Sequence, residues 1–235
     1  MKRKCVIAPE VLELFPEVQI GVVVAEGINN KPQQATRALI DQEAQFIKNI
    51  FAEIAVAEQK NIQAWRRAYT AFGGGSSYRS SVEALVKRVV KDKPLPLINP
   101  LVDIYNSISL KYLLPVGGED LQHIQGDIRL ERAEGSETFV ALGQTENDPP
   151  SKGEVIYVDD NDEVLCRRWN WREAEKTKLT EETTNAILVI DALPPVNNIE
   201  VKEATADLAQ KVQQLTGART HLYLLNKNYP QIFIN

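Results

Sequence analysis

Apolar residues recur every three or four positions through the first half of this chain and every second position through its middle. That switch in period restricts the fold to one in which helices and sheets share a body. Val18–Ala25, "VQIGVVVA", is a β-branched run that reads as a buried strand. After Pro32, Leu39, Ile40, Ile47, Ile50, Phe51 and Ile54 form the stripe of a long helix. Ile62, Trp65, Tyr69 and Phe72 mark a second, which "GGGSS" at 73–77 breaks. Ser80-Ser-Val-Glu83 is a capping-box pattern ahead of Val82, Leu85, Val86 and Val89, and Pro94 and Pro96 end that helix. Asn99-Pro100 starts another, with Leu101, Val102, Tyr105, Ile108 and Tyr112 on its buried side. Beyond Pro115 and Gly117-Gly118, "DIRLERA", "ETFVALG", "EVIYVD" and "EVLCRRW" read as strands, the last two joined across Asp160-Asn-Asp162. "NAILVIDAL" is a further strand, a helix stops at Gly217, and "HLYLL" closes the chain. The expectation is a mixed α+β body whose sheets are covered by helices.

Composition excludes several functions. No apolar run approaches the roughly 18 residues of a membrane span, and Pro9, Glu10 and Glu13 interrupt any signal-peptide core after the basic start. Cys5 and Cys166 are the only cysteines, which suits a reducing cytosol, so the protein is expected to be cytoplasmic. His123 and His221 are isolated, so no metal and no histidine-based triad is expected. The Gly73–Gly75 run lacks the Lys-Ser/Thr ending of a phosphate loop, and Gly-x-Ser-x-Gly is absent.

"CRRWNWREAEK" (166–176) stands out. Two of the three tryptophans, Trp169 and Trp171, lie among Arg167, Arg168 and Arg172 in a chain of net charge −5. If Val164–Trp171 is a strand, Val164, Cys166, Arg168 and Asn170 share one face, and Leu165, Arg167, Trp169 and Trp171 the other. One reading is a sheet edge with arginines stacked on indoles. The other is a site for an anionic ligand with a flat part, with Glu173 or Glu175 able to take an amino group or a phenol. Arg66, Arg67, Arg79, Lys87 and Arg88 form a second cationic group, and a fold that joined the two would give an acidic protein one basic face.

"SSYRSSVEALVKR", "LPLINPLVDIYNSISLKYLLPVGGEDL", "GEVIYVD" and "CRRWNWREAEKTKLTEET", in this order, resemble the editing domain of the phenylalanyl-tRNA synthetase β chain over roughly residues 65 to 190. The resemblance implies that residues 1–235 form one domain, a three-layer sandwich of two sheets and a helical layer. It implies a pocket for the aminoacylated 3′ end of tRNA. Leu101-Val-Asp-Ile-Tyr-Asn106 matches a pocket segment of the family, carrying over Asp103 and Asn106 and placing Tyr105 at a threonine position. Leu114-Pro-Val-Gly-Gly-Glu-Asp120 matches a second, with Gly117 where the family has a histidine. Arg168, Trp169 and Arg172 replace glycines of a third, so the pocket should be smaller or differently shaped than one that admits tyrosine. The family's glutamate aligns with Glu173 or Glu175. The implied activity is a free-standing editing hydrolase that cleaves the ester of a mischarged aminoacyl-tRNA, without cofactor, membrane or DNA. Asn106 or Ser109 would hold the attacking water. Arg79 and Arg168 would hold phosphate or carbonyl oxygens, within a pocket walled by Trp169, Asn170, Trp171 and Arg172. The alternative is a non-catalytic module binding RNA, an amino acid or a nucleoside in the same place.

Overall fold

The computed structural model describes residues 3–75 and 78–234. The end of "GGGSS" and the start of "SSYRSS", Ser76 and Ser77, lie outside the described residues. Two sheets carry the architecture. The first has six strands in the order β10-β1-β4-β5-β6-β7, with β1 Arg3–Ile7, β4 Ile128–Arg132, β5 Val155–Val158, β6 Val164–Arg167, β7 Arg172–Glu173 and β10 Gln231–Ile234. The second has four in the order β3-β8-β2-β9, with β2 Gln19–Glu26, β3 Val116–Asp120, β8 Asn185–Ala192 and β9 Arg219–Leu225. All its pairings are antiparallel, whereas β1 and β4 run parallel.

Strand β2 explains the layering. Its side chains alternate between two cores, as the pleat requires. Ile20, Val22 and Val24 face the first sheet, while Val23 and Ala25 face the helices α5 (Pro100–Tyr112) and α6 (Asn198–Thr216). Both faces are therefore covered, and the run shows no polar alternation. Gly21 is required where α6 crosses: a Cβ there would lie 2.0 Å from Thr205 Oγ1. Helices α2 (Gln34–Ile50), α3 (Lys60–Ala71) and α4 (Ser81–Val90) complete the inter-sheet core with Ile47, Trp65, Tyr69 and Val86. The result is a three-layer sandwich of two sheets and a helical layer. Among the described residues no helix is long and apolar enough to cross a membrane.

The helix starts follow local chemistry. Ser80 Oγ accepts from Glu83 N, Asn99 from Val102 N, and Asn197 forms a full capping box with Glu200. Other expectations fail for physical reasons. "ETFVALG" makes only isolated bridges at Thr138, Val140 and Ala141, because it crosses the outer face of the first sheet, where Phe139 packs on Ile156 and Val158. Ile54 lies beyond the end of α2 and is exposed. The chain does not close at "HLYLL": β10 returns to pair with β1. Helix α1 (Pro9–Leu14) and strands β1, β3 and β7 are short, and sequence patterning gave no sign of them.

Candidate functional site

The expected strand over Val164–Trp171 ends at Arg167. Arg168 (φ 49°) and Trp169 (φ 66°) are both left-handed, and Arg167 pairs with Arg172, so residues 168–171 form a hairpin loop. Each left-handed residue costs about 1–2 kcal/mol. Several contacts hold the loop in that form. Trp169 N donates to Val155 O at 2.6 Å, and Trp171 N to Arg167 O at 3.2 Å. The fully buried Trp169 ring meets Phe15 and Trp65 edge-on, with centroids 5.0 Å away in both cases. The turn breaks the alternation. Trp169 enters the inter-sheet core, while Trp171 is half-buried at its margin against Tyr78 (4.9 Å). Arg168 lies over Tyr78 (3.7 Å) and Trp171 (4.7 Å) and pairs with buried Glu154 at 2.8 Å. Arg172 covers Trp171 at 4.8 Å.

Two concavities meet beside this hairpin, sharing Ser81 and Val116 as lining. The wider is a groove of about 600 Å³ edged by Arg79, Lys87, Arg88, Lys91 and Lys93, with Asn106, Ser109 and Trp171 in its walls. Glu83 organises its cations. This carboxylate is fully buried and receives Arg66 at 2.6 Å and Lys87 at 2.5 Å, with Arg79 at 3.7 Å. Burial alone would raise its pKa, but the bonds from Arg66 and Lys87 outweigh that and hold it below the usual carboxylate range. Ser109 donates its hydroxyl to Leu114 O (2.7 Å), so that proton is committed.

The narrower concavity is a thin cleft between the sheets, in which the centres of water-sized molecules have about 30 Å³ to occupy. Gly117, Glu119, Tyr157, Cys166, Glu173 and Asp191 bring its polar chemistry, and Ile128, Leu165, Ile187 and Val189 its apolar walls. Asp191 accepts from Tyr157 OH (2.7 Å) and Asn170 Nδ2 (3.2 Å), and Tyr69 OH donates to Asn170 Oδ1 (2.9 Å). Burial pushes the Asp191 carboxyl up to about 6 despite those bonds. Burial, together with the neighbouring Glu173 charge, raises Glu119 well above its ordinary value, and burial raises Glu173 as well. Burial and the same two glutamates raise the Cys166 thiol, which therefore stays protonated and is a poor nucleophile.

The residues singled out in the sequence thus fall into three places. Arg79, Asn106, Ser109 and Trp171 line the groove, with Arg168 and Arg172 stacked on that indole. Gly117, Trp169, Asn170 and Glu173 line the cleft. Two lie apart from both. Asp103 is buried in a helix-start network with Thr36 Oγ1 (2.9 Å) and Ile98 N (3.1 Å). Glu175 sits on the surface, bound to Gly143 N and Lys178. Sequence reading missed Glu119, Asp191 and Glu83. A lone acid inside the apolar run "NAILVIDAL" was the available signal for Asp191, because acids are seldom fully buried without a partner.

No curated protein matches the chain. Among solved structures it resembles an N-terminal fragment of the phenylalanyl-tRNA synthetase β-subunit from Pyrococcus horikoshii, with a TM-score of 0.52 and 12% identity. The match covers 98% of this chain and 54% of that one, so the chain spans about half the fragment's length. At that identity the likeness shows the fold. The family model of the B3/4 domain, which is found in the synthetase β chain, matches residues 64–217, about two thirds of the sequence. The chain therefore belongs to the B3/4 domain family.

Proposed function

We propose that this protein is an aminoacyl-tRNA editing hydrolase, able to act as a free-standing unit on a mischarged aminoacyl ester. The observation that carries the reading is the junction of a cationic groove with a narrow cleft at Ser81 and Val116. A tRNA 3′ end presents phosphates beside an aminoacyl group, and the two concavities suit those two parts in turn. Arg79, Lys87 and Arg88 would take the phosphates, with Trp171 as a stacking wall for a base. The aminoacyl group would enter the cleft past Gly117. Water held by Asn106 would add to the ester carbonyl. The carbon–oxygen bond to the ribose would then break, and the ribose oxygen would leave with a proton. The buried Cys166 thiol and the committed Ser109 hydroxyl favour such positioning over covalent catalysis.

Those same two features also favour a second reading, a non-catalytic module that binds an RNA end, an amino acid or a nucleoside there. Deacylation of a panel of mischarged tRNAs by the purified protein separates the two. Release of any amino acid above the uncatalysed rate, reduced at least tenfold by Asn106→Ala, is the expected result. Binding of the tRNAs without release would select the module.

A further inference from the structure

The cleft contains polar atoms that ester hydrolysis leaves unused. Glu119 is 7% exposed, and neither its Oε2 nor that of Glu173 accepts a hydrogen bond from a donor of the protein. The two carboxyls touch; Thr177 beside Glu119 and Cys166 beside Glu173 favour the charged forms in part, and a proton shared between the pair, or a cation brought from outside, relieves the rest of their repulsion. Trp169 adds an independent observation. Its indole N–H is fully buried and reaches the Asp191 carboxylate only in poor hydrogen-bond geometry. A buried unpaired donor or acceptor costs on the order of 1–3 kcal/mol, which a ligand with complementary groups would recover. No Lys, Arg or His lines the cleft among the described residues. Nor do the acids converge as metal ligands: no group of His, Cys, Asp and Glu among the described residues is arranged to hold a metal ion. The remaining walls are the aliphatic Ile128, Leu165, Ile187 and Val189. The roughly 30 Å³ open to water-sized centres in this cleft favours a thin chain over a ring or a branched group. Glu119 lies three residues along β3 from the rim residue Val116, roughly 10 Å inward at strand rise.

We propose that the cleft is a receptor for an unbranched primary alkylammonium, with the ammonium seated between Glu119 and Glu173 and the methylene stem along Ile128, Leu165, Ile187 and Val189. The indole N–H of Trp169 is then free to meet an oxygen carried by the same ligand. The chemical class is that of linear diamines and of amino acids with an unbranched basic side chain. Its extension to a basic aminoacyl ester rests on the editing reading above, whereas amine binding does not.

Binding exchanges the shared proton for the ammonium, so affinity must rise with pH. The titratable groups facing the pair are Asp120 on β3, Tyr105 from α5, Cys166 from β6 and Asp191 from β8. None is a cation, and none replaces the ammonium.

The test is isothermal titration of the full chain with n-pentylammonium, 1-pentanol and tert-butylammonium at pH 5 and pH 8. Saturable binding of n-pentylammonium alone is expected, tighter at pH 8. Glu119→Gln and Glu173→Gln should each weaken it about tenfold or more, the usual effect of losing one charge-assisted partner. Gly117→Ala, whose Cβ would sit 2.7 Å from Glu173 Oε1, should weaken it as well. Equal binding of 1-pentanol, or unchanged affinity in Glu119→Gln that still unfolds in one cooperative transition, would overturn the proposal. Deacylation assays on the same preparation keep the two ideas apart. Amine binding without hydrolysis rejects only the editing reading, and hydrolysis without amine binding rejects only this one.

Discussion

The groove and the cleft lie side by side, and they handle buried charge in opposite ways. In the groove, one buried carboxylate, Glu83, gathers Arg66, Lys87 and Arg79, whose side chains remain partly exposed. Its charge is balanced within the protein, and the surplus cations face outward, ready for an anion. In the cleft, Glu119, Glu173 and Asp191 have no cation beside them and are relieved only by protons and neutral donors. A paired acid is a support, while an unpaired one at a cavity wall is an unmet demand. The same formal charge therefore has structural meaning at Glu83 and ligand-directed meaning at Glu119.

The comparison can be broken first at Trp169, which lines the cleft yet belongs to the core. Trp169→Ala should cost about 3–5 kcal/mol in a denaturant titration, as for other large buried side chains. A loss below about 1 kcal/mol would make the indole a ligand wall and not part of the core. Arg168→Ala should cost about 1–3 kcal/mol, because it removes a partner of Glu154 and two stacking contacts. Near-neutral stability in that variant would mean the arginine is held for a ligand alone. Lys87→Ala with Arg88→Ala should lower tRNA affinity about tenfold and reduce the slope of log K against log salt by roughly two. An unaltered slope would remove the groove from RNA binding.

Glu119→Gln sharpens the contrast through pH. An acid whose folded pKa is raised contributes stability below its unfolded pKa and loses it as pH rises through the folded value. The variant should therefore melt a few degrees above the parent at pH 8 and close to it at pH 4. Equal melting at both would mean the pair is not repulsive. The smallest effect is expected at Glu175, whose carboxylate is at the surface. Glu175→Ala should leave melting, amine binding and tRNA binding unchanged, and a measurable loss in any of them would return it to the site.

The layers were legible in the sequence because periodicity reports burial. Val22–Val24 of β2, the Asn99 cap and the Gly217 stop each follow from local pattern and chemistry. The hairpin at 168–171 was not legible. Neither arginine nor tryptophan favours a left-handed backbone, and only the tertiary fit of Trp169 between Phe15 and Trp65 offsets that preference. The Glu119–Glu173 contact was hidden for a different reason. Its partners are 54 positions apart on β3 and β7, strands of different sheets, and no spacing rule links them. Asp191 was visible only as an oddity in an apolar run.

Gly117 carries a consequence for how such a site can change over generations. A side chain at 117 and a carboxylate at 173 compete for one volume, since even a methyl group at 117 would approach Glu173 Oε1 to 2.7 Å. A histidine introduced there meets the glutamate, and a glutamate introduced opposite a histidine meets the imidazole. The glutamate can swing aside to admit a larger residue at 117, but it then leaves its place beside Glu119, so a change at one position alters the chemistry of the other. Residue 117 thus tunes the acid pair: any side chain there moves the Glu173 carboxyl and changes how it faces Glu119.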